Sequence, residues 1–387
     1  MKRFSRRTLA GALALTAPAV SALAVPCDDH SAYQTPVHDS AMTGTASSLH
    51  ATGGLLCAAA GEHGLRILLP SEPGRFVELG AAATSGPADA LWVDGDRAYV
   101  TMPGRLEIFD VAVPGAPSLL GSMDFPPPVV VLDVVVHGHV AYVATSHGVW
   151  LLDVGDPSAP VQLSTFDGRP LYGTTSVAVQ ETVMYVGVGP DRILTVDVSD
   201  PSAPGEIGEY DTNANDVLHM SADGDWLIAI ADDVLILDAR TPSALAPWAS
   251  IGTAHTPASA VAFGDRLFVT QDASASLLVV DVSVQGSPVA LGWVPLDAAG
   301  PLALADGYVV AGVPEGLAAV DTGDIVFAPT IAPPLVPPMS GDGRSVHVLD
   351  RSMYVSSGRV FIYDVTEPAL PELISAPIGY GNFTGGV

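Results

Sequence analysis

Short runs of alternating apolar and polar residues follow one another along almost the whole chain, and turn-forming residues separate them. Residues 173–211 show the pattern most clearly. Thr175–Val179 alternates and predicts an inner strand, and Gln180-Glu181-Thr182 turns the chain. Met184–Val188 predicts a second strand, Gly189-Pro190-Asp191-Arg192 a turn, and Ile193–Val198 a third strand. Ser199-Asp200-Pro201-Ser202-Ala203-Pro204 breaks the pairing, because its two prolines have no N–H to give a ladder. Glu206–Tyr210 predicts the outer strand.

The same grammar recurs. Third strands ending in Asp or a variant of it read LEIFDVAVPGAP, VWLLDVGDPSAP, ILTVDVSDPSAP, VLILDARTPSAL, LLVVDVSVQGSP, GLAAVDTGD and VFIYDVTEPALP, after a degenerate first copy, LRILLPSEPG. Their anchor residues are Leu69, Asp110, Asp153, Asp197, Asp238, Asp281, Asp321 and Asp364, spaced by 41, 43, 44, 41, 43, 40 and 43 residues. A period in the low forties filled with short strands is what a four-stranded propeller blade requires. The second strands (AYVTM, AYVAT, MYVGV, LFVTQ) are apolar on both faces, which suits strands stacked between blades. The fold class predicted is therefore all-β, a single β-propeller of eight four-stranded blades spanning residues 47–378. The alternative is seven blades, with a terminal copy in another role. Residues 25–46 form an N-terminal arm that could add an outer strand to the last blade and latch the ring or remain a mobile arm, and residues 379–387 form a C-terminal tail. The repeated Asp reads as a carboxylate that accepts N–H bonds from its own turn, since copies spread round a ring cannot converge on one ligand.

Units such as AYVATSHGVWLLDVGDPSAPVQLSTF (141–166) and MYVGVGPDRILTVDVSDPSAPGEIGEY (184–210) resemble the LVIVD repeat. The resemblance covers about residues 47–378 and is weakest in the first and seventh copies. It implies a propeller of bacterial or archaeal surface or secreted proteins, and it carries no catalytic residues with it.

Residues 1–24 fit this setting. A basic start (Lys2, Arg3, Arg6, Arg7), an apolar stretch and Ala22-Leu23-Ala24 together look like a cleavable signal peptide. Ser5-Arg6-Arg7-Thr8-Leu9 partly matches the twin-arginine motif, so both that route and the general secretory one stay open. An exported protein of the periplasm, cell surface or exterior is expected. Past the signal no apolar run is long enough for a transmembrane segment. In such a compartment the two cysteines, Cys27 and Cys57, are expected to form a disulfide.

Beyond residue 24 the chain has 11 basic residues, all arginine, against 42 acidic ones, a net charge near −31. Such a surface repels nucleic acid and anionic lipid and attracts cations and basic partners. There is no HExxH, GxSxG or P-loop. Candidate sites therefore come from position in the ring. Ser48, Asp89, Asp133, Ser176, Asp216, Ser259 and Ser345 stand at the starts of the inner strands and should ring the channel mouth. Asp89, Asp133 and Asp216 are the candidate metal ligands, with Ca²⁺ the candidate ion for them and no organic cofactor implied; the other reading is strand-end capping. His50 and His347 occupy matching positions in the first and last copies, where ring closure would make them neighbours. The function expected is a secreted or cell-surface binding or scaffold module, meeting a protein or envelope component through loops on one face. The alternative is a metal-dependent hydrolase or lyase with its site at the channel mouth.

Overall fold

The structure, a computed structural model, describes residues 37–167, 174–189, 191–212, 217–253, 256–271, 276–296, 300–314 and 316–322, together with the backbone of four later strands. Residues 35–325 form one unit, and the chain from 326 onward belongs to another. In the first unit seven four-stranded antiparallel sheets form a closed ring. Their inner strands are Ser48–Thr52, Leu91–Asp94, Val131–His137, Thr174–Gln180, His219–Asp223, Pro257–Phe263 and Leu302–Ala305. Each blade packs on the next in chain order, and the inner strand of blade seven packs on that of blade one.

The ring thus has seven blades, not eight. Among the described residues the seventh copy supplies three strands, Leu302–Ala305, Tyr308–Val313 and Gly316–Asp321. Its fourth place is taken by the N-terminal strand Val37–Ala41, which runs antiparallel to the third with Val37 opposite Val320 and Ala41 opposite Gly316. Part of the expected N-terminal arm is therefore the latch, but it closes the seventh copy. The side chain of Ser40, nearly buried, accepts the N–H of Phe76 on the outer strand of blade one at 2.9 Å, and Met42 enters the core that blades one and seven share. With blades one and seven in direct contact, no gap is left for an eighth. The eighth copy instead makes a sheet of its own in the second unit, from Ser345–Leu349, Ser352–Ser356, Val360–Asp364 and Glu372–Ile378.

The predicted strand order holds within each blade. In blade four the strands are Thr174–Gln180, Val183–Val188, Arg192–Asp197 and Gly205–Asp211, each within about two residues of its expected bounds. The second strands are the most buried, because both their faces lie between neighbouring blades.

The repeated motif has two structural tasks. First, the strand-end Asp tightens its own turn. Asp110, Asp153, Asp197, Asp238 and Asp281 each accept, through Oδ1, the N–H of the residue two further on, at 2.8–3.1 Å. Second, the turn that follows docks on the preceding blade. In blades one to six the outer strand shifts register against the third strand, and at the shift stands Gly80, Gly121, Ser164, Gly208, Ala249 or Gly292. A Cβ added to Gly121 would lie 2.2 Å from the carbonyl oxygen of Pro157 in the next blade's turn. At Gly80 the same contact is Pro114 O at 2.1 Å. Ser164 instead donates its hydroxyl to Pro201 O at 2.6 Å. The small residue makes room for the turn, and the bulge aims the strand at it.

Two arginines stitch blades on the same side. Arg97 of blade two donates to Val154 O in blade three at 3.1 Å, and Arg266 of blade six donates to Thr322 O in blade seven at 3.2 Å. Cys57 lies fully buried between blades one and two as a free thiol, and burial pushes its pKa up to about 12. The disulfide expected with Cys27 is not seen. Cys57 packs in the buried cluster that holds Leu65 and Ile67; Cys27 lies outside the described residues.

Candidate functional site

The starts of all seven inner strands surround one opening. Ser47, Ser48, Asp89, Asp133, Thr175, Leu218, His219, Ser259 and Gly300 are among the residues that line a cavity of about 370 Å³ at the mouth of the central channel. Below it, a narrower space of about 160 Å³ is lined by His50, Trp92, Val135, Val179 and Met220 among others. Ser48, Leu49, Asp133 and His219 line both, so the two are continuous.

Of the residues expected at the mouth, Ser48, Asp89, Asp133 and Ser259 are there. Ser176 is not: it is fully buried, and its neighbour Thr175 faces the cavity instead. The register shifts between Thr174 and Ser176, as it does between Val131 and Asp133 and between Pro257 and Ser259, where Asp133 and Ser259 do reach the cavity. Asp216 lies outside the described residues, and Ser345 belongs to the second unit. At ring closure blade one meets blade seven, and His347 belongs to the second unit.

Several mouth residues are already committed to holding blades together. Asp133 Oδ1 accepts the N–H of Val134 at 2.9 Å, and Oδ2 accepts Ser176 Oγ–H and Val177 N–H, both at 3.2 Å. That joins blades three and four. Ser259 Oγ accepts the N–H of Leu302 at 3.0 Å and joins blades six and seven. Ser47 Oγ lies 3.0 Å from Ala59 O and 2.7 Å from Ala88 O, and so bridges blades one and two. These are the capping roles that strand-end polar residues commonly fill.

Asp89 differs. Its carboxylate has no hydrogen-bond partner among the described residues, and desolvation lifts its pKa above the ordinary carboxylate value. Among the described residues no lysine or arginine lines the mouth. Among the described residues, no three His, Cys, Asp or Glu side chains come together as a metal site. The rim is also apolar: Leu132 is 42% and Leu218 50% exposed. Deeper in, His50 stacks edge-on against Trp92 with ring centroids 4.4 Å apart. Burial lowers the His50 pKa to about 4, so the imidazole is neutral at physiological pH.

Sequence reasoning missed Thr175, Leu132, Leu218, His219 and Trp92 as cavity residues. Strand ends chosen by polarity pick out polar residues, whereas the mouth takes whichever residue the local register turns inward.

Three segments of the chain, residues 85–124, 131–167 and 173–212, match the LVIVD repeat family. The chain carries LVIVD repeats. These matched segments are blades two to four, whose turns have the fullest motif. None of the curated proteins matches the chain. Among solved structures, the β-propeller domain of Cps50 (Swd1) from Myceliophteria thermophila is similar at a TM-score of 0.61 and 14% identity, over 73% of this chain and 99% of that one. A chain of a mitotic checkpoint complex is similar at 0.59 and 16%, over 81% and 98%. Saccharomyces cerevisiae Sqt1 is similar at 0.54 and 9%, over 73% and 97%. At these identities the LVIVD propeller shares with them its fold.

Proposed function

We propose that this LVIVD propeller is an exported binding or scaffold module that takes its partner on the face bearing the channel mouth. The observation that carries the reading is the mouth itself. A rigid seven-bladed frame holds there an open cavity, an apolar rim and a carboxylate without a partner among the described residues. Surfaces of this mixed kind, concave and apolar with a few placed polar groups, are where ligands and partners dock. The connections between blades emerge on the same face, and their sequences vary more from blade to blade than do the motif turns on the opposite face. The acidity of the chain favours a basic partner, a protein or envelope component.

The proposed export rests on residues 1–24, with the general secretory and twin-arginine routes as alternatives. N-terminal sequencing of the protein from an envelope or secreted fraction checks it, with a start at Val25 as the expected result. No helix among the described residues is long and apolar enough to cross a membrane.

The binding test is capture from a native envelope fraction by the mature protein, with and without chelator. Leu132→Ser with Leu218→Ser should abolish capture of any specific partner and leave the fold intact, because both residues are exposed. Unchanged capture by this double variant sinks the mouth-face reading. Loss of capture on adding chelator alone would favour a Ca²⁺-dependent site that includes Asp216.

A further inference from the structure

We propose that the channel mouth is a pocket for an arginine side chain of a protein partner, seated with an apolar neighbour on the leucine rim. This rests on the binding-module reading above and specifies the chemistry of the partner.

Charge sets the sign. Among the described residues Asp89 and Asp133 are the carboxylates that line the mouth, and no lysine or arginine lines it. Asp133 already accepts three hydrogen bonds, one from Val134 in its own strand and two from Ser176 and Val177 across the joint with blade four. Asp89 accepts none among the described residues, so it is the acceptor that remains.

The kind of cation follows from the number of ligands. A divalent ion takes six to eight oxygens, or a close set of imidazole and carboxylate groups. Among the described residues no such set converges. A guanidinium needs one carboxylate and can share neutral acceptors such as the Ser48 hydroxyl. It is also weakly hydrated and stacks on aromatic faces, which lysine does less well. The space below the mouth offers that surroundings: Trp92 and the neutral imidazole of His50, with no competing charge from that ring. A cavity of about 370 Å³ accommodates one long side chain and leaves the rim to its neighbour. Leu132 and Leu218, half-exposed at that rim, gain from covering by an apolar residue beside the arginine.

The test uses the mature full chain and two synthetic peptides, acetyl-Gly-Leu-Arg-Leu-Gly-amide and its twin with citrulline, the neutral isostere, in place of arginine. Calorimetry should show the arginine peptide binding at least about tenfold more tightly, the range of one charge-assisted hydrogen bond. Asp89→Asn should remove that preference. Leu218→Arg, which supplies a cation in cis, should block the arginine peptide without altering Asp89. Equal affinity for the twins overturns the proposal, as does a preference that survives Asp89→Asn, or stoichiometric binding of Ca²⁺ that Asp89→Asn abolishes. If Asp89→Asn leaves envelope capture intact while the double leucine variant abolishes it, the arginine pocket falls and the binding face stands. If neither changes capture, both fall.

Discussion

The docking of each motif turn on the preceding blade can be tested at Gly121. A methyl group there would sit 2.2 Å from Pro157 O, and 2.9 and 3.0 Å from the backbone Cα and C of Ser158. Ordinary contact begins at 3.4 Å, so the turn of blade three must retreat by about 1.2 Å or the bulge must flatten. All three atoms belong to backbone, which cannot swing aside as a side chain can. Overpacking of this sort costs about 1–3 kcal/mol. Replacing glycine also lowers the entropy of the unfolded chain, which offsets about 0.4–1 kcal/mol. The net expectation for Gly121→Ala is a loss of about 1–2 kcal/mol, with Gly121→Val costing more. Urea unfolding of the mature protein reads it as a lower midpoint at unchanged slope. Gly205→Ala, whose Cβ would meet nothing within 4 Å, is the control and should stay within about 0.5 kcal/mol of the parent. Ser164→Ala, at the equivalent place in blade three, meets no clash but loses the hydrogen bond to Pro201 O, a cost of about 1 kcal/mol. If Gly121→Ala behaves like Gly205→Ala, the turn does not press on the bulge, and the account of why the motif repeats is wrong.

Other perturbations have definite outcomes. Removing residues 37–41 should expose the third strand of blade seven, so hydrogen exchange at Gly316–Val320 should accelerate markedly while blades two to five stay protected. Ser40→Ala leaves the N–H of Phe76 without its acceptor and should cost about 1–3 kcal/mol in the same urea assay. Cys57, with its pKa near 12 and no exposure, should resist a thiol reagent at pH 8 in the folded protein and react fully in denaturant. Acid should destabilise the protein through its turns. The Ser158 and Ser202 hydroxyls hold Asp156 and Asp200 below the ordinary carboxylate value, and the Ser199 N–H does the same for Asp197. Their contribution is present above about pH 4 and is lost as pH falls through the folded values. The double variant Asp197→Asn with Asp200→Asn should therefore lose less stability between pH 5 and pH 3 than the parent does.

Most of the blade was legible because its signals are local. Alternation gave the strands of blade four, and Pro201 and Pro204 gave the break before its outer strand. The role of the repeated Asp followed from counting, since copies round a ring cannot share a ligand. The number of blades was not legible in the same way, because ring closure is a long-range choice. Copies seven and eight both read as blades, yet copy seven lacks a fourth strand of its own among the described residues. Five residues of the N-terminal arm compete for that edge. Their advantage is in tertiary contacts, namely Ser40 to Phe76 and Met42 in the core of blades one and seven, and no pattern in VHDSA advertises them.

The mouth was half legible for a related reason. Which residues begin the inner strands can be read from the chain, and Ser48, Asp89, Asp133 and Ser259 do line the cavity. Which way each one faces depends on the local backbone, and in blade four Thr175 faces the cavity while Ser176 is buried. Bonding between blades then divides the polar residues. Asp133 and Ser259 are used up by the neighbouring blades, and sequence alone cannot show this because Ser176, Val177 and Leu302 lie 43 or 44 residues away from their partners. That separation is one repeat, so each such bond is the repeat closing on itself. A polar residue at the mouth that takes part in no such bond is not needed for the ring. Asp89 is the carboxylate in that position: it stands exposed at the mouth, where its charge is open to a cationic partner.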